Sequence, residues 1–205
     1  MRNLLLVTSV LIALALVASP ATSEGKMALS VGGDVLLPMG TFKDAVSTGF
    51  GGSARFQYEV APNAAVGVTT GYYTWGGKDL GGNLGTGPSF KGVPFRVFGK
   101  YYFTPAGEKK ARVYGIAELG LFFGSSGDVT VPGVNVPGVG VVGGGTVSGG
   151  SSTNFNYAPG LGVEFPLGEG KTLLDVSVRY DGIATSGGSS SSIAGRVGVN
   201  FPLGQ

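Results

Sequence analysis

From Met27 onward the sequence returns an apolar side chain at every second position, and it does so in eight separate stretches. Neighbouring side chains of an extended strand point to opposite faces, so each stretch carries one greasy face and one different face. The last stretch shows this most plainly. Ile193, Val197, Val199 and Phe201 share one face; Ala194, Arg196, Gly198 and Asn200 share the other. Past residue 21 no apolar run approaches the ~20 residues that a membrane-spanning helix needs.

In chain order the expected strands cover residues 27–37, 50–60, 64–75, 93–103, 111–123, 153–167, 172–183 and 192–205. Their connections alternate between long and short. Every even strand ends alike, on an aromatic residue followed closely by Pro: Tyr58 with Pro62, Phe103 with Pro105, Phe165 with Pro166, Phe201 with Pro202. The last two cases are nearly a repeat, Phe165-Pro166-Leu167-Gly168 against Phe201-Pro202-Leu203-Gly204. Pro cannot donate to a strand ladder, so it belongs where pairing stops. All even strands are therefore expected to descend to one rim that carries the short turns, and the unit is a hairpin repeated four times.

Composition decides which face meets what. Charged residues make up 13% of the chain, Gly numbers 40, and Cys and His are absent. An ordinary soluble protein is about 25% charged. The second face is built of Gly, Ala, Ser and isolated charges, too sparse for a water-facing coat and well suited to the narrow inside of an eight-stranded barrel. Tyr72, Tyr101, Phe103, Phe123, Tyr157, Phe165, Tyr180 and Phe201 fall towards strand ends on the apolar face, where aromatic girdles sit at a membrane interface. The expected architecture is all-β: an eight-stranded antiparallel up-and-down transmembrane β-barrel. A soluble periplasmic or secreted barrel, with the apolar face inside, is the competing arrangement.

On the inward-polar assignment Arg55, Arg96, Lys100, Arg179 and Arg196 stand against Asp34, Glu59, Glu118, Glu164, Asp175 and Asp181. Unpaired buried charge is costly, so near-balance points to a paired network that fills the lumen. A gated pore or proton path is the other reading of the same residues. The formal net charge of +2 is small and scattered, which argues against a nucleic-acid partner.

Residues 1–21 read as a cleaved secretory signal. Met1-Arg2-Asn3 is a short basic start, residues 4–17 form an apolar core of about 14 residues, and Ser19 and Ala21 supply small residues before a cleavage site after Ala21. A retained membrane anchor is the alternative. Residues 22–205 then form the barrel domain.

Taken together, the signal, the eight strands, the alternating connections and the closing strand resemble the outer-membrane β-barrel domain family, the small barrels of the OmpA/OmpX type. Arg196, Gly198, Phe201 and Leu203 resemble that family's assembly signal, polar-x-Gly-x-x-hydrophobic-x-hydrophobic. The chain departs from the pattern in running on from Phe201 to Gln205, where family members often end on an aromatic. The resemblance implies the outer membrane of a Gram-negative cell, short turns in the periplasm, long loops outside, lipid and the barrel-assembly machinery as partners, and a monomer.

Catalysis finds no support. Small barrels that act as enzymes resemble one another in relying on His beside Ser, Asp or Glu, and an imidazole base is missing here. Metal sites of His or Cys are excluded on the same ground, and no cofactor is expected. Asp175 and Asp181 could in principle do acid–base work, but a filled lumen leaves no room for substrate. The string Gly138 to Gly143 fits G-x-G-x-x-G without a following helix, and Gly170-Lys171-Thr172 lacks the leading Gly of a phosphate loop, whose position is Phe165.

The longest connection, 124–152, repeats Val-Pro-Gly-Val and is low in complexity. It reads either as a mobile surface loop or as an extended hairpin above the membrane. With residues 78–92 it is the expected contact for an extracellular partner. The function these residues imply is structural or surface-interacting, with a polar, plugged lumen; a small channel or hydrophobic-ligand carrier of the OmpW type is the alternative.

Overall fold

The computed structural model describes residues 26–78, 87–104, 111–131, 133–138, 140–168, 171–185 and 188–203. The expected signal, residues 1–21, and Gln205 lie outside the described residues, as do residues 79–86 of the loop 78–92.

Eight strands carry the alternating pattern: β1 (Met27–Met39), β2 (Val46–Ala61), β3 (Ala64–Gly77), β4 (Phe90–Tyr102), β5 (Arg112–Ser126), β6 (Ser151–Pro166), β7 (Leu173–Thr185) and β8 (Gly188–Leu203). Each pairs antiparallel with its neighbours in sequence, and β1 pairs with β8 from Met27↔Leu203 to Met39↔Ser191, which closes the sheet into a barrel. Closure leaves no unpaired edge, the condition that a bilayer sets on a β structure.

The expected orientation holds. The turns β2–β3, β4–β5 and β6–β7 share one rim, the turn rim. The longer connections share the other, the loop rim. Gly168, with φ of 66°, sits in the turn after Phe165-Pro166-Leu167, a left-handed backbone that favours glycine. Pro does not mark strand ends alone, however. Pro159 lies within β6, where the β6–β7 ladder skips from Tyr157↔Gly182 to Gly160↔Arg179 because Pro has no N–H to donate.

Several strands outrun their expected ends. Residues 188–191, read as loop with 186–187, belong to β8 and pair with β7 down to Thr185↔Gly188. Phe90 to Gly92 belong to β4, and a short helix α1 (Phe42–Ala45) occupies the connection 40–49 before β2 begins at Val46. Ladder bonds use backbone alone, so Ser- and Gly-rich ends pair without apolar side chains to announce them. The loop 124–152 forms a ribbon rather than an irregular loop: 129–131 pairs with 145–147, and 134–136 with 140–142. Gly138, with φ of 85°, lies at its tip.

The two faces separate as expected. Val31, Val178, Leu161 and Val197 point outward and are 47–62% exposed, while Arg55, Arg96, Arg179 and Arg196 point inward and are at most 1% exposed. Tyr101, Phe103, Phe165 and Phe201 ring the turn rim on the outside; Phe50, Tyr72, Phe123 and Phe155 lie nearer the loop rim. Tyr157 and Tyr180 depart from the girdle reading. Tyr157 sits in mid-wall, level with Leu119 and Val97, and packs against Tyr180 with ring centroids 6.1 Å apart.

Candidate functional site: the charged lumen

The lumen is stacked in layers. At the loop rim Leu36, Val46, Tyr73, Trp75, Phe122, Ile183 and Ala194 form an apolar cluster, with Phe42, Ala45 and Phe90 packed against it. Phe42, carried by α1, meets the Trp75 ring edge-on at 5.8 Å, and Phe90 stacks on Phe122 at 5.7 Å. At the turn rim Ala65, Phe98, Tyr102, Tyr114 and Ile116 form a second cluster. Glu118 and the arginines around it lie between the two, while Glu164 and Asp175 stand near the turn-rim ends of β6 and β7, beside the second cluster.

Glycine gives these rings their room. A Cβ at Gly92 would lie 2.5 Å from the Phe122 ring, and one at Gly162 would collide with the Tyr114 ring. Gly198 and Gly32 lie beneath the Arg196 guanidinium in the same way: a Cβ at Gly198 would be 2.5 Å from Arg196 Nη1. Large inward side chains thus lie across the bare backbone of adjacent strands, one physical reason for the glycine content.

Among the described residues the buried charges are Asp34, Glu118, Glu164, Asp175 and Asp181 against Arg55, Arg96, Lys100, Arg179 and Arg196, five of each sign. Glu118 is the hub. Arg55 Nη2 donates to its Oε1 at 2.9 Å, Arg96 Nη1 to its Oε2 at 2.8 Å, and Arg179 Nη1 to its Oε1 at 3.2 Å. Arg96 also donates to Asp181 at 2.8 Å, and Arg179 to Asp34 at 2.6 Å. Asn156 Nδ2 holds the other oxygen of Asp181 at 2.8 Å, and Ser53 Oγ donates to Asp34 at 2.6 Å. This half of the lumen is a continuous charge-assisted hydrogen-bond network.

The half nearer the turn rim is looser. Asp175 has Arg196, Lys100 and Arg55 at 3.5, 3.6 and 3.8 Å, ion-pair rather than hydrogen-bond distances, with Tyr114 Oη donating to it at 2.9 Å. Lys100 Nζ donates to Glu164 at 2.7 Å and lies 4.1 Å from the centroid of the Tyr114 ring, a cation–π contact. Tyr102 and Asn200 also donate to Glu164. Arg196 reaches across the β8–β1 closure to Ser30 at 2.8 Å and Ser53 at 2.9 Å.

Ten of the eleven residues expected in the lumen therefore meet there. Glu59 stands apart: it lies at the mouth of the turn rim, 19% exposed, and pairs with Arg112 at 2.8 Å. Arg112 escaped the sequence reading because it is the first residue of β5, beside a turn, where alternation has no preceding position to count from. Tyr73, Trp75 and Tyr114 escaped for a different reason. Period two puts them on the inward face, but nothing in the sequence says which inward aromatics meet. Of the assembly-signal residues, Arg196 and Gly198 face the lumen, while Phe201 and Leu203 are exposed on the outside.

An apolar wall around a balanced, paired interior defines a transmembrane β-barrel. Solved structures of outer-membrane barrels share the fold. OprG of Pseudomonas aeruginosa is 14% identical, with 88% of this chain and 97% of that one covered at a TM-score of 0.54. Neisserial surface protein A is 15% identical, with 88% and 98% covered at 0.56. A major outer membrane protein from Thermus thermophilus is 18% identical, with 88% and 100% covered at 0.56. No family model and no curated protein sequence matches the chain.

Proposed function

We propose that the protein is an integral outer-membrane barrel of a Gram-negative cell, with a closed lumen and a structural or surface-interacting role. The observation that carries this reading is the pairing of all ten buried lumen charges with one another, with an aromatic cluster covering them at the loop rim and a second beside them at the turn rim. A conducting pore needs polar groups that face water; here they face each other. On this reading the lumen carboxylates serve to neutralise arginine and lysine, and the role is structural rather than catalytic. In this reading residues 1–21 direct export, Arg196, Gly198, Phe201 and Leu203 present the closing strand to the assembly machinery, and the monomer meets outside partners through 78–92 and the ribbon in 124–152.

Planar-bilayer recording of the refolded protein tests the proposal. The expected trace shows no steady unitary current. Discrete, long-lived conductance steps would sink the closed-lumen reading and favour a small channel or carrier. Recovery of the protein in the detergent-free soluble fraction would sink the membrane reading.

A further inference from the structure

The outward faces of the eight strands carry apolar, Gly, Ser and Thr side chains and, among the described residues, a single charge: Lys91. It is the second residue of β4, at the loop rim, and it is exposed. Its Cα partners are Thr74 on β3 and Ser125 on β5, so an ammonium is flanked by two hydroxyl-bearing residues at one height of the wall. Immediately below on the same face come Val93 and Phe95, 38% and 53% exposed, and Phe123 opposite Val93. Two further lysines stand on the connections above this sector. Lys78 follows β3, donates its backbone N–H to Ala45, and places its Nζ 3.3 Å from the Lys43 carbonyl. None of Lys43, Lys78 and Lys91 forms an ion pair with a described carboxylate, although every buried lumen cation does.

We propose that the β3–β4 sector of the loop rim binds the phosphate of a phosphorylated lipid headgroup in the outer leaflet, with Lys91 as its anchor and Thr74 and Ser125 as hydroxyl donors. The occupant is a lipid rather than a free anion because Lys91 shares its face with Val93, Phe95 and Phe123. Acyl chains cover those side chains, and a headgroup phosphate lies at the end of the chains, level with Lys91. A soluble polyanion would instead have to press against a greasy wall. Lysine also serves this place chemically, as a point charge on a long apolar stem that follows the wall while its ammonium stays at the polar boundary. The inference rests on the membrane reading given above.

Native mass spectrometry of the full chain in a neutral detergent tests it. The probes are a bis-phosphorylated glucosamine-based lipid, the same lipid with its phosphates removed, and inorganic phosphate. The phosphorylated lipid should bind the parent protein, and Lys91→Gln should weaken binding about fivefold, as expected for one lysine near an anionic headgroup. Lys43→Gln/Lys78→Gln should weaken it further, while Lys26→Gln, at the opposite rim, should leave it unchanged. Equal binding of the phosphate-free lipid, or unchanged binding by a Lys91→Gln variant with intact strand circular dichroism, would overturn the proposal. Competition by millimolar inorganic phosphate would replace the lipid with a free-anion site. A protein soluble without detergent would fail the membrane reading instead, which separates the two failures.

Discussion

Replacing Glu118 with Gln removes, among the described residues, the one carboxylate that accepts from three arginines, at 2.9, 2.8 and 3.2 Å. The cost is not three times that of one pair. Arg96 keeps Asp181 at 2.8 Å and Arg179 keeps Asp34 at 2.6 Å, so two of the three stay neutralised. Arg55 is the residue stranded, with only Asp175 at 3.8 Å. Leaving one buried charge without its partner costs about 3–5 kcal/mol, roughly a 10²–10⁴-fold loss in the folding equilibrium. Denaturant unfolding in lipid vesicles reads this directly, because the chain has a single Trp and Trp75 is buried at the loop-rim end of the lumen. A Glu118→Leu/Arg55→Leu double variant removes the stranded charge along with the hub and should recover much of the loss. If Glu118→Gln unfolds within about 0.5 kcal/mol of the parent, the reasoning fails. So small a change is the mark of a pair in a water-filled interior, where exposed salt bridges contribute about 0–1 kcal/mol.

Further outcomes follow from the same structure. Gly162→Ala drives a methyl into the Tyr114 ring and should destabilise by about 1–3 kcal/mol in the same unfolding assay. Gly195→Ala, which meets nothing within 4 Å, should cost nothing or stabilise by up to about 1 kcal/mol. Val178→Arg, at a wall position 55% exposed, should cost about 2–4 kcal/mol when unfolding is measured in vesicles, whereas a wall facing water would tolerate it. Phe42→Ala uncovers the Trp75 ring and should raise quenching of its fluorescence by aqueous acrylamide; unchanged quenching would mean that α1 does not cover the rim.

Period-two alternation made the architecture legible. Arg179 falls on the face opposite Val178 and Tyr180 by counting alone, and each of the other nine lumen charges falls opposite the apolar face of its own strand. Which charge meets which was not legible. Arg179 bonds Asp34 across the barrel, 145 residues away, and that meeting depends on strand tilt and stagger, which no local pattern encodes. Glu59 shows the limit of counting. Its face was right, but its depth, at the mouth rather than the middle, follows from where β2 ends against the turn. The Ser-rich start of β8 looks like loop in the sequence for a related reason, since serine carries no apolar signal even where the backbone is fully paired.

The span of these interior bonds bears on how the molecule comes to exist. Arg196 bonds Ser30, 166 residues earlier, and it does so across the join between the first and last strands. No nascent hairpin can make that bond, nor the bond from Arg179 to Asp34. Until the cylinder shuts, Arg179 and Arg196 lack these partners, whereas Arg96 already meets Glu118 within the β4–β5 hairpin; once it shuts, all of them are buried together. The charge cluster therefore acts as a latch that only a complete circle can spring, and a half-built wall keeps an exposed ionic face that lipid rejects.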